Sequence, residues 1–128
     1  MIKIYGEKEK GKQPPESAEM ITFVNHVRRE YSETYGKIIT HIRNEGKKTN
    51  SQVSKQKAEG MTTGASDIIS PGCPAFVCEM KSKSKSSRIS TEQQNYLEVA
   101  DKLGSFACVV YGHKAAINAF EDWIIEQR

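Results

Sequence analysis

The sequence has no apolar run approaching the roughly 20 residues that a membrane span requires. Its opening residues, Met1-Ile2-Lys3-Ile4-Tyr5-Gly6-Glu7, carry no signal-peptide apolar stretch, so a cytoplasmic chain is expected. Cysteine is scarce and odd in number: Cys73, Cys78 and Cys108 form no C-x-x-C pair. The histidines His26, His41 and His113 are scattered and complete no Cys/His zinc set. Reduced thiols are expected, with at least two packed in the core. Internal repeats are also missing. What remains is a 128-residue chain, 37% hydrophobic and 27% charged, the composition of one globular domain spanning residues 1–128. A domain of this size folds without a disulfide or metal staple.

The net charge of +3 says little by itself, but the cations are grouped. Lys47, Lys48, Lys55 and Lys57 lie in one polar stretch, and Lys81, Lys83, Lys85 and Arg88 in another. Such groups suit phosphate contacts; two solvated loops account for them equally.

Residues 6–15 are rich in Lys, Glu, Gly, Gln and Pro, and residues 1–13 read as a flexible lead-in. Pro14-Pro15 opens a helix with Glu16 and Glu19 in its first turns, where the helix dipole favours acids. Met20, Val24, Val27 and Tyr31 give that helix an apolar stripe. Lys37 to Arg43 is β-branched and reads as a strand closed by Asn44-Glu45-Gly46. Residues 47–63 lack an apolar period and read as a loop with room for a short helix. Ser66 to Ser70 and Ala75 to Lys81 read as strands joined by the turn Pro71-Gly72-Cys73-Pro74. Ser90 starts a helix with Gln93 at the capping-box position and Gly104 after its end. Phe106 to Tyr111 reads as a strand, followed by a helix carrying Ala116, Phe120, Trp123 and Ile124. The order α-β-β-β-α-β-α predicts an α/β mixed sheet flanked by helices.

Glu79 and Lys81 alternate with Cys78 and Met80, so they share one face of their strand, ~7 Å apart. A salt bridge would explain the pair. The hairpin adds a second acid: if Ser70 pairs with Phe76, Asp67 falls opposite Glu79. Neighbouring carboxylates on a sheet repel, and a divalent cation is the natural offset, since Mg²⁺ takes carboxylate oxygens, backbone carbonyls and water. Lys81 could then orient a water or stabilise charge on a phosphate. A one-residue shift of register would put Asp67 on the other face.

Asp67 followed by Glu79-Met80-Lys81 on the next strand resembles the PD-(D/E)XK nuclease signature. The resemblance is closer to the VRR-NUC (virus-type replication-repair nuclease) family. It is carried by Asn44-Glu45-Gly46, Gly64-Ala65-Ser66-Asp67, Phe76-Val77-Cys78-Glu79-Met80-Lys81, Ser90-Thr91-Glu92-Gln93 and the Leu103-Gly104 step into Phe106 to Val110, and it covers residues 16 to 120. Ser66 stands where the family usually has proline. The resemblance implies a restriction-endonuclease-like fold and a Mg²⁺- or Mn²⁺-dependent endonuclease. Asp67, Glu79 and the Met80 carbonyl would bind the metal, Lys81 would position or activate the attacking water, and Gln93 would support the site, although a capping box explains Gln93 without catalysis. A first-helix glutamate completes the set. Spacing to Asn44-Glu45-Gly46 favours Glu19; the helical wheel favours Glu16; Glu19 is the expected ligand. Lys83, Lys85 and Arg88 would contact the DNA backbone. Small members resemble phage-type homodimers cutting branched DNA such as Holliday junctions. The alternatives are a flap or single-strand nuclease, or a nucleic-acid-binding module without catalysis; a sequence-specific restriction enzyme fits the short chain poorly.

Overall fold

The computed structural model describes residues 1–43 and 49–128. The expected Asn44-Glu45-Gly46 turn, and Lys47 and Lys48 of the first cation group, lie outside the described residues. The elements in order are β1 (Lys3–Tyr5), α1 (Glu16–Glu30), a 3-10 turn (Tyr35–Lys37), β2 (Thr40–His41), α2 (Asn50–Ala58), β3 (Ile68–Ser70), β4 (Phe76–Lys81), α3 (Thr91–Lys102), β5 (Phe106–Tyr111) and α4 (His113–Ile125). The strands form one five-stranded sheet in the order β1-β5-β4-β3-β2. β1, β5 and β4 run parallel, whereas β4, β3 and β2 pair antiparallel. This is the expected α/β mixed sheet flanked by helices.

Alternation along β4 and β5 separates two apolar layers. Phe76, Cys78, Met80, Phe106, Cys108 and Val110 face α1 and α4, where Phe23, Val27, Phe120 and Trp123 complete the larger core. Val77, Ala107 and Val109 face α3 and pack on Leu97. Cys78 and Cys108 are buried as expected, and Cys73 is exposed. The indole N–H of Trp123 donates to the Pro74 carbonyl at 2.8 Å, so the buried ring leaves no unpaired donor.

Three expectations need correction. The lead-in is not a loose tail: β1 pairs with β5, and the Glu9 amide donates to the Lys83 carbonyl at 2.7 Å. A three-residue strand with a half-exposed outer edge leaves too short a pattern to read. The strand at 37–43 shrinks to Thr40–His41, because the chain first turns inward to place the Tyr35 ring 5.7 Å from Phe120 and 5.2 Å from Trp123. The buried face of α1 is Glu19, Phe23 and Val27, while Met20, Val24 and Tyr31 lie at its margin. A buried acid within that face shifts it away from the purely apolar stripe.

Candidate active site

The hairpin β3–β4 has the register read from the sequence. Ser70 pairs with Phe76, Ile69 with Val77 and Ile68 with Cys78. Asp67 precedes Ile68 and therefore sits across from Glu79, on the α3 face of the sheet. Its carboxylate is fixed in place: Oδ2 accepts from the Met80 amide at 3.0 Å. Gly64 lets the approaching loop lie flat on the start of α3, with φ +85° and a Cβ position only 2.4 Å from the Glu92 carbonyl carbon. Ser66 is fully buried and its hydroxyl has no partner.

Asp67, Glu79, Lys81, Ser90, Gln93 and Glu16 line a cavity of about 330 Å³ at the end of the hairpin. Glu79 is only 1% exposed. The Lys81 ammonium lies 4.0 Å from Glu79 Oε2, with a side chain that is 11% exposed. Gln93 does two jobs. Its Oε1 accepts from the Ser90 amide at 2.9 Å in a complete capping box, and its Nε2 donates to Glu79 Oε2 at 3.4 Å. The capping box expected from the sequence is present, and the same side chain reaches Glu79.

The electrostatics of Glu79 are unusual for a carboxylate. Burial pushes its pKa up to about 10, helped by the hydrogen bond and charge of Asp67 and by the charge of Glu16, with Lys81 opposing them. A carboxyl–carboxylate hydrogen bond requires one of the two to hold a proton. When both are ionised, Glu79 Oε1 is a buried oxygen with no hydrogen-bond partner. A cation at that oxygen would do what the proton does, so the donor set fits a divalent metal.

Among the described residues no three His, Cys, Asp or Glu side chains converge tightly enough to hold a metal by themselves. Mg²⁺ needs only one or two carboxylates beside carbonyls, waters and substrate phosphate. The Met80 side chain is fully buried, so only its backbone can contribute. The Lys81 carbonyl faces β5, accepting from the Gly112 amide at 3.0 Å. The neighbouring Met80 carbonyl therefore faces the opposite edge, as its N–H does, toward Asp67.

Glu19, the expected first-helix ligand, is buried but does not line this cavity; its Oε1 meets His113 Nδ1 at 2.7 Å. Glu16, the alternative favoured by the helical wheel, is the α1 acid at the site. Lys83, Lys85 and Arg88 lie on the loop after β4, outside the cavity. That loop is knitted by serines, with Ser82 and Ser87 hydroxyls 3.1 Å apart. Arg88 folds back to donate to the Lys85 and Ser87 carbonyls, at 2.8 Å each. Lys8 joins this cationic rim: desolvation, then the charges of Arg88 and Lys85, hold its pKa below the usual lysine range. Sequence reading missed Lys8 because it lies in the lead-in. It also missed His41, whose Nδ1 sits 2.9 Å from the Asp67 carbonyl, because an isolated histidine carries no spacing signal.

The chain aligns with a solved structure described as a VRR_NUC domain protein, with a TM-score of 0.75 and 20% sequence identity over 91% of this chain and 92% of that one. The two share their fold. No family model and no curated protein matches the sequence. Among the described residues no helix is long and apolar enough to cross a membrane.

Proposed function

We propose that the chain is a VRR-NUC-type nuclease that hydrolyses phosphodiester bonds in DNA, with Mg²⁺ or Mn²⁺ held by Asp67 and Glu79. The observation that carries this reading is buried Glu79 set beside a second carboxylate, Asp67, in one cavity with Lys81. Two acids forced together out of water destabilise the sheet; their arrangement makes sense as a cation cradle. A divalent cation bound there supplies a water of lowered pKa and neutralises charge on the phosphate.

The protein's own groups divide the remaining work. The Met80 amide fixes Asp67, and Gln93 and Lys81 hold Glu79 Oε2. The Met80 carbonyl is on the right strand edge to add an oxygen. Lys81 is mostly buried, which confines its ammonium near Glu79, where it orients the attacking water or stabilises charge on the phosphate. Lys83, Lys85 and Arg88 meet the DNA backbone beyond the site. The sequence resemblance extends the reading to branched DNA such as a Holliday junction, cut in the cytoplasm by a homodimer, because symmetric cutting of two strands needs two sites.

A labelled four-way junction, a flap and a linear duplex incubated with Mg²⁺ or with chelator test this reading. Metal-dependent cutting that Lys81→Ala abolishes supports it. Absence of metal-dependent cutting on all three points to a binding module. Mass in solution, with and without junction DNA, tests the homodimer.

A further inference from the structure

A second cavity, of about 160 Å³, adjoins the first and shares Glu16 and Asp67 with it; Ser17, Met20, Ile21 and His41 form the rest of its lining. It lies on the α1 side of the strand end, because His41 pairs with Ile68 and Ile68 faces α1. Three features limit what it can take. Its described lining holds no lysine or arginine, so it does not suit a phosphate. Met20 and Ile21 supply an apolar wall, and Ile21 is 61% exposed, a large aliphatic side chain left in water at the rim of the site. Its volume is small for a ligand cavity, and it has no room for a stacked base pair.

The hydrogen bonding of His41 adds chemical direction. Its Nδ1 faces the Asp67 carbonyl at 2.9 Å. A carbonyl only accepts, so Nδ1 carries the proton, and in the neutral ring Nε2 is an acceptor. An acceptor beside an apolar wall suits a flat ring bearing an amino or imino N–H. Nucleobases present such donors on their pairing edges, and those edges are free only when the base is unpaired.

We propose that this cavity holds one unpaired base of the substrate strand, beside the phosphate cut in the neighbouring cavity, with Ile21 and Met20 against the ring and His41 Nε2 accepting from its edge. This rests on the nuclease reading and deepens it: the enzyme selects a strand with an unpaired nucleotide next to the cut, which favours a flap or single-stranded substrate over a fully paired junction.

The test is binding in chelator, so that no turnover intervenes. 2-Aminopurine is walked along the unpaired strand of a gapped or flapped duplex, and its fluorescence is read on adding the full chain. One position is expected to change strongly. Replacing that nucleotide by an abasic one is expected to weaken binding about tenfold. Ile21→Ala and His41→Ala are expected to weaken binding to intact DNA but not to abasic DNA. Ile21 is exposed, so its substitution keeps the test valid even if His41→Ala disturbs folding. The proposal is overturned if no position responds, or if the substitutions weaken intact and abasic DNA alike. Metal-dependent cutting without a base-dependent response rejects this inference alone; absence of cutting rejects the nuclease reading while the binding result still stands.

Discussion

Among the described residues two glutamates are buried, Glu19 on α1 and Glu79 on β4, and their neighbours are of opposite kinds. Glu19 is 3% exposed and Glu79 is 1% exposed. Glu19 Oε1 meets His113 Nδ1 at 2.7 Å, at the start of α4, so a group able to donate a proton faces its carboxylate. Glu79 faces another acid, and its one cation, Lys81, lies 4.0 Å away. Each keeps one buried oxygen without a hydrogen-bond partner, so the contrast lies in the neighbour: a histidine for Glu19, a second carboxylate for Glu79. Strong perturbation in a cleft, rather than burial alone, is what singles out Glu79 as the candidate.

The comparison can be broken most decisively at Glu79. Glu79→Ala or Asp67→Ala is expected to lower metal-dependent cleavage at least about a thousandfold, measured as single-turnover rates at saturating Mg²⁺. Glu19→Ala is expected to do the reverse. It should lose stability, by about 1–3 kcal/mol in denaturant melts because His113 is 30% exposed, while the folded fraction cleaves within about twofold of the parent. Equal cleavage defects in the two variants would erase the distinction.

A third expectation concerns pH. Because its folded-state pKa is raised to about 10, metal-free Glu79 retains a proton that the unfolded chain has released. Stability contributed by this site therefore falls as pH rises from the ordinary carboxylate range toward about 10. Glu79→Gln should flatten that slope and gain about 1–3 kcal/mol near pH 8 in chelator. Mg²⁺ should raise the parent's melting temperature more at pH 8 than at pH 5; a shift that is the same at both would refute the competition between proton and metal.

Smaller effects sharpen the picture. Gln93→Ala should cost about 1 kcal/mol of stability and about tenfold in cleavage, whereas Gln93→Glu should keep the cap and still slow cleavage. Unchanged cleavage in both would leave Gln93 a cap only. Lys85→Ala, at an exposed loop position, should weaken DNA binding a few-fold and reduce the slope of log affinity against log salt by about 0.9 if it meets one phosphate.

The site was partly legible because hairpin registers are. Pro71-Gly72-Cys73-Pro74 marks the turn, and the alternation of Phe76, Cys78 and Met80 fixes the faces, so counting outward places Asp67 beside Glu79. The capping box at Ser90 was equally local. The α1 acid was harder. Glu16 and Glu19 both suit a helix start, and no local rule says which one turns toward a histidine nearly a hundred residues later. The apolar stripe indicated Glu16, while spacing to a turn on another element indicated Glu19. The three-residue β1 was illegible for a different reason: it is too short to show a period, and its pairing is defined by β5, from the other end of the sequence.

The placement of β1 also bears on the order in which the protein assembles. The hairpin that joins Asp67 to Glu79 closes the shortest loop in the sheet, so its contacts can form early and at little chain-entropy expense. β1 pairs with β5, from the other end of the sequence, so its contact closes a loop of almost the whole chain. The acids are thus brought together by the most local pairing in the sheet, while the strand that closes its far edge depends on the least local one.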